Sequence, residues 1–151
     1  MTRATTAVAG PPLIGALLRR PAEAVHLRIL REAHRAGFTD LVPAHLAVLR
    51  YPGPNGRKPS ELAAEVGSTK QAMNYLLGQL EQLGYVTRSD HPDDQRSKRV
   101  QLTERGEALR QVVRRTVTQI EHELEAELGT TAYGQLRKLL VRLNDTDTIS
   151  A

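Results

Sequence analysis

The run Asp94-Gln95-Arg96-Ser97-Lys98-Arg99-Val100-Gln101-Leu102-Thr103-Glu104-Arg105-Gly106 constrains the fold more than any other stretch of this chain. It sets three cations in four positions, passes into a short alternating segment and ends in a helix start. The turn-forming residues Asp90-His91-Pro92-Asp93-Asp94 come just before it. Tyr85 to Arg88 and Lys98 to Leu102 therefore read as two antiparallel strands, with Val86, Val100 and Leu102 inward and Arg99 and Gln101 outward. The tip between them is expected to be exposed, with its basic residues pointing outward. No large sheet is expected around this hairpin. Hydrophobic residues make up 40% of the chain but aromatic ones only 3%, so the core must be Leu, Val, Ile and Ala, which favours packed helices.

Periodicity and punctuation place those helices. Residues 1–10 are small and polar and are expected to be disordered. Leu13, Ile14, Leu17 and Leu18 have the spacing of a short amphipathic helix. Pro21 suits the first turn of a new or kinked helix that runs to about Ala36 and stops at Gly37. Asp40 to Tyr51 reads as a third helix, stopped by Pro52, with a loop over Pro52-Gly53-Pro54-Asn55-Gly56. Pro59 opens a short helix to Val66, broken by Gly67. Ser68 or Thr69 then caps a helix that runs to Leu83 and ends at Gly84. Thr103 caps a long helix with an apolar stripe from Leu109 to Leu128, ended by Gly129, and Thr131 to Leu143 adds a last one.

Helix, glycine turn, helix and hairpin, in that order, make a winged helix-turn-helix. In its second helix Met73, Leu76, Leu77, Leu80 and Leu83 form the inward stripe. The opposite face carries Lys70, Gln71, Asn74, Tyr75 and Gln79. Amide side chains donate and accept together, which suits base edges in the major groove. Ser68, Thr69 and Lys70 stand at the helix N-terminus, which attracts phosphate. Alone, such a face is an ordinary solvated surface. The preceding short helix and the basic hairpin shift the balance, because Arg88, Arg96, Lys98 and Arg99 put four cations on the hairpin. An arginine at its tip suits a narrow minor groove, and Asp94 is placed to hold Arg96 extended. The expected partner is double-stranded DNA.

Asp94-x-Arg96 followed by Val100-x-Leu102-Thr103-x-x-Gly106 resembles the wing signature of the MarR (multiple antibiotic resistance regulator) family. Ser60-Glu61-Leu62-Ala63, Gly67-Ser68-Thr69-Lys70-Gln71-Ala72 and Leu80-Glu81-Gln82-Leu83-Gly84-Tyr85-Val86 resemble that family's helix-turn-helix. The likeness is close from Pro43 to Leu109 and extends to the outer helices in layout only. It implies a homodimeric transcription factor on pseudo-palindromic DNA, with Arg96 at the minor groove and Ser68, Thr69, Gln71, Asn74 and Tyr75 at the major groove. It also implies a small aromatic or phenolic effector.

The fold class expected is mainly α with a small β-hairpin wing, a winged helix-turn-helix plus a terminal-helix dimerisation region. The divisions are a disordered 1–10, helical dimerisation segments 11–36 and 104–145, and a DNA-binding unit 40–103. The apolar stripes at both ends exceed what one small core needs, and a twofold copy would cover them.

Other functions find little support. No cysteine is present, so disulfides and thiolate sites are excluded. The histidines are scattered, and neither a metal nor a cofactor is expected. No apolar run is long enough to span a membrane, and a cytoplasmic protein is expected. No nucleophile–base pattern or phosphate-cradling glycine loop marks an enzyme. Arg20, His26, Arg28, His45 and Arg50 are cations able to meet an anionic effector, though none is singled out. The competing reading is a winged-helix protein-interaction module without DNA binding.

Overall fold

The computed structural model describes residues 12–49, 56–91 and 94–146, and of residues 91 and 94–97 the backbone alone. The expected disorder of residues 1–10, the last two residues of the helix expected to reach Tyr51, and residues 52–55 of the expected loop lie outside these residues. Six helices and a two-stranded antiparallel hairpin occur among those described: α1 Ile14–Arg35, α2 Pro43–Leu49, α3 Pro59–Glu65, α4 Lys70–Gln82, β1 Val86–His91, β2 Asp94–Leu102, α5 Glu104–Leu128 and α6 Thr130–Asn144.

Local chemistry sets most boundaries. The Thr69 hydroxyl accepts from the Ala72 amide at 3.1 Å to start α4, and the Thr103 hydroxyl accepts from the Gly106 amide at 3.1 Å to start α5. The Lys58 amide donates to the Glu61 carboxylate at 3.2 Å at the head of α3. Between α3 and α4 the chain reverses at Gly67, whose φ of 63° is open to glycine at little cost.

Three boundaries differ from the sequence reading. The two N-terminal helices expected on either side of Pro21 are one continuous helix, with Pro21 inside it. Residues 17–24 are exposed, so solvent can satisfy the carbonyl that Pro21 has no N–H to serve. The second helix starts at Pro43 rather than Asp40, because proline suits the first helical position and disfavours the helical conformation in the residue before it. Both strands run further towards the tip than expected, pairing Val86 with Leu102 through Asp90 with Lys98 before the register shifts between Asp90 and His91. Arg57, ahead of α3, adds a bridge to Val100, with amide–carbonyl distances of 3.1 and 2.8 Å.

The core lies where α1 through α5 meet the base of the hairpin. Leu62, Met73, Leu77, Leu80, Tyr85, Val86, Val100 and Leu109 are fully buried in it. Each such side chain contributes roughly 1.5–3 kcal/mol of transfer free energy. By contrast α6 has no buried residue, and Leu13, Ile14, Leu17, Leu128, Leu139 and Val141 stand exposed on α1, α5 and α6.

Tyr85 joins the units. Its hydroxyl donates to Asp40 Oδ1 at 2.5 Å, while Arg105 Nη2 meets Asp40 Oδ2 at 2.9 Å. The Arg105 guanidinium carbon lies 4.4 Å from the Tyr85 ring centroid. Burial alone would raise the Asp40 pKa; hydrogen bonds from Tyr85 and Arg105 outweigh it and hold the carboxyl below its ordinary range. At Gly106 the two backbones touch, and a Cβ there would fall 2.1 Å from the Tyr85 carbonyl oxygen.

Two expectations follow. Gly106→Ala must push α5 off Tyr85 and should cost about 3 kcal/mol or more, read by urea unfolding at fixed protein concentration. A carboxyl with a depressed folded pKa contributes fully above the unfolded value, about 3.9, and loses that contribution as pH falls through the folded value. Asp40→Asn should therefore destabilise near neutral pH, with the gap to wild type closing below about pH 4. A gap that stays constant with pH would show that the Asp40 charge plays no part.

Candidate nucleic-acid interface and adjoining cavity

The helical repeat puts Lys70, Gln71, Asn74 and Tyr75 on one side of α4, opposite the buried Met73, Leu77 and Leu80. All four are exposed, and Tyr75 is 68% accessible, which is far outside the range of a packed aromatic. The open N-terminus of α4 lies at the same end as Lys70. The surface thus offers one cation, two amides, one phenol and a helix terminus that favours anions.

Other residues expected at this surface have prior commitments. Ser68 is half-buried, with its hydroxyl 3.4 Å from the Thr69 carbonyl, and the Thr69 hydroxyl caps α4. Gln79 is half-buried and bonds inward, with Oε1 3.2 Å from Nε2 of His45 and Nε2 3.3 Å from the Tyr75 hydroxyl. On the hairpin, Arg88 lies across α4, its Nη2 2.9 Å from the Glu81 carboxylate. It passes Gly78, where an added Cβ would meet the guanidinium at an ordinary contact distance of 3.9 Å. Lys98 reaches its cross-strand neighbour Asp90 at 2.5 Å. Arg99 is half-buried on β2. Asp94 and Arg96 belong to β2 by backbone, but the expected contact between them lies outside the described side chains.

Behind this face, α1, α2 and α5 enclose a cavity of about 380 Å³. Its wall is mostly apolar, from Ile29, Leu46, Leu49, Leu109 and Val113, with His26, Arg110 and Arg114 also lining it. Arg110 is paired with Glu107 at 2.7 Å, while Arg114 makes no ion pair among the described residues. Of the cations weighed from sequence, only His26 lines this space. Arg28 is paired with Glu123, whose carboxyl it holds down to about 2 by direct hydrogen bonding. His45 is buried between α2 and α4, Arg20 is exposed on α1, and Arg50 lies outside the described residues. Arg110 and Arg114 were missed, although their four-residue spacing on the long helix is visible in the sequence. No cluster of metal-ligating side chains occurs among the described residues, and no described helix is long and apolar enough to cross a membrane.

Residues 37–97 match a family model described as the MarR family. The transcriptional repressor MprA of Escherichia coli K12 is 33% identical over 94 residues, covering 60% of this chain and 53% of that repressor. The chain thus spans about half the length of the curated relatives it matches. Among solved structures, a transcriptional repressor, CouR, bound to a 23-mer DNA duplex is similar with a TM-score of 0.70 and 28% identity, over 87% of this chain and 92% of that one. The MarR family protein Rv2887 of Mycobacterium tuberculosis, in complex with salicylic acid, has a TM-score of 0.64 and 27% identity, over 90% of this chain and 99% of that one. These relatives are regulators rather than enzymes.

The Glu81–Arg88 pair makes one outcome specific. Glu81→Gln removes an anion and releases Arg88, so binding to random-sequence duplex should tighten and log affinity should fall more steeply with log salt, by up to ~0.9 in slope. An unchanged slope in fluorescence anisotropy would place Arg88 away from phosphate.

Proposed function

We propose that the chain, whose residues 37–97 match the MarR family model, is a MarR-type ligand-responsive transcriptional repressor, binding a pseudo-palindromic operator as a homodimer. The single observation that carries this reading is the exposed Lys70, Gln71, Asn74 and Tyr75 face of α4, standing beside a projecting two-stranded hairpin. Gln71 and Asn74 are the candidates for base edges, Lys70 and the α4 N-terminus for phosphate, and Arg96 at the hairpin for the minor groove. Thr69 and Ser68 serve chiefly by shaping the turn. No catalytic role is assigned.

The segments 11–36 and 104–145 are proposed as the dimerisation region, and 40–103 as the DNA-binding unit. Support comes from the exposed Leu13, Ile14, Leu17, Leu128 and Leu139, an apolar surface that a second copy would cover. A twofold pair of reading heads suits half-sites about 34–36 Å apart.

An aromatic carboxylate of the salicylate type suits the cavity, with its ring against Leu46, Leu109 and Val113 and its charge near His26 or Arg114. Preference for the DNA-incompetent dimer by about 1–3 kcal/mol would change operator affinity ~5–150-fold. The competing module without DNA binding draws on the internal pairing of Arg88 and Lys98, which leaves fewer cations for phosphate.

Selection of bound genomic fragments, followed by anisotropy across a salt series, tests the reading. Lys70→Ala should weaken all duplexes alike and reduce the salt slope by about 0.9. Gln71→Ala and Asn74→Ala should cost about 1–3 kcal/mol at particular base pairs. A flat salt response with no enriched fragment would favour the interaction module.

A further inference from the structure

His45 and Thr116 are the buried polar side chains among the described residues, at 4% and 6% exposure. Thr116 is satisfied within its own helix by the Val112 carbonyl at 2.9 Å. His45 instead bonds across elements. The Val42 amide donates to its Nδ1 at 3.4 Å, and its Nε2 lies 3.2 Å from Gln79 Oε1. An imidazole that accepts at Nδ1 carries its proton on Nε2, so Nε2–H donates to the Gln79 carbonyl oxygen. That orients the Gln79 amide, whose Nε2 then donates to the Tyr75 hydroxyl at 3.3 Å. Tyr75 is one turn back on α4 and 68% exposed.

We propose that His45 and Gln79 are positioning residues for recognition: a hydrogen-bond chain from the α2 interior through Gln79 holds the exposed Tyr75 phenol in one orientation on the face turned to DNA. The inference rests on the DNA-facing reading of α4 and assigns Gln79 a different part from the one its position on the helix suggested. Both ends of the Gln79 amide are engaged within the protein, which fixes its orientation and makes positioning, rather than base reading, its first role. An exposed tyrosine otherwise samples several rotamers, and fixing its hydroxyl makes it a directional contact rather than a mobile one.

The test compares Gln79→Leu, Gln79→Glu and Tyr75→Phe on the full chain, with a panel of single-base operator variants. Gln79→Leu keeps the volume but removes both bonds. Gln79→Glu keeps an acceptor for His45 and turns the second bond round, since a carboxylate oxygen accepts from the Tyr75 hydroxyl. Discrimination at the base pairs nearest Tyr75 should fall about 2- to 10-fold in Gln79→Leu and in Tyr75→Phe, and less in Gln79→Glu. Combining Gln79→Leu with Tyr75→Phe should add nothing to either alone. In Gln79→Leu and Tyr75→Phe, affinity for random duplex and the salt slope should not move, which a general loss of structure would not leave intact; Gln79→Glu adds a charge and is compared by discrimination alone. Unchanged discrimination in Gln79→Leu, or additive losses in the double variant, overturns the proposal while leaving specific DNA binding standing. Absence of any sequence-specific binding by wild type removes the DNA-facing role of α4 and this inference with it. Long-range proton–nitrogen spectra of the imidazoles give a readout that needs no DNA. The Nε2–H tautomer is expected for His45, with its donor proton shifting in Gln79→Leu but retained in Gln79→Glu, and the Nδ1–H tautomer overturns the chain.

Discussion

The structure depends on the contacts made by Tyr85. Its amide donates to the Leu80 carbonyl and so closes α4, while its own carbonyl accepts from the Thr103 amide at 3.0 Å. Its ring is buried under Arg105 of α5, and its hydroxyl is held by Asp40 in the α1–α2 connection. One residue therefore touches the end of α4, the root of the hairpin, the start of the long helix and the connection between the first two helices. The Thr103 hydroxyl also donates to the Gly84 carbonyl at 2.6 Å, which fixes the same corner from the other side. Such a corner defines the angle between hairpin and α4. Two surfaces that are to meet one duplex must hold that angle, because a groove contact is lost within an ångström or so of displacement.

Charge on the hairpin is arranged more economically than its composition suggests. Arg88 and Lys98 are each bound to a neighbouring carboxylate, Glu81 and Asp90. Exposed pairs of this kind contribute about 0–1 kcal/mol to stability and exchange readily for another anion. Such partners partly neutralise the basic surface, and a phosphate bound there as proposed would have to replace the carboxylate. The Lys70 end of α4 has no such carboxylate in the first turn. On the proposed reading, non-specific attraction would fall chiefly to Lys70 and the α4 N-terminus, and sequence readout to Gln71 and Asn74.

Much of this was legible in the chain because the signals are local. Thr69, Thr103, Gly67, Gly84 and Gly129 act on the residues beside them, and each boundary they mark lies within a residue or two of the one observed. The split at Pro21 failed because a proline on an exposed helical face leaves its unserved carbonyl to water. The Arg57 bridge was not legible, since it joins residues 43 positions apart through backbone atoms that carry no side-chain signature. Gly106 is instructive in the opposite sense. It stood in the matched pattern as a mere spacing, and the reason for it appears only where α5 meets the Tyr85 carbonyl. At the candidate site, exposure of Gln71, Asn74 and Tyr75 followed from periodicity, whereas the commitments of Gln79, Arg88 and Lys98 depend on partners that no spacing rule names.

His45 shows why a histidine's role is so poorly visible in one dimension. In the sequence it is one of five scattered histidines with no ligand spacing. In the fold it is the polar link between α2 and the reading helix, and α2 also supplies Pro43, Leu46, Ala47 and Leu49 to the cavity wall. One seven-residue helix therefore borders both the space proposed for a ligand and the side chain that orients Tyr75. Packed interiors yield by discrete shifts rather than smooth deformation, so a ligand that displaces α2 must also strain or break the His45–Gln79 bond. The direction of that coupling is set by geometry: tightening the cavity around a small ring preserves the bond, and wedging α2 outward lengthens a contact already at 3.2 Å. A ligand that lowered operator affinity, as in the proposed function, would act by the second case.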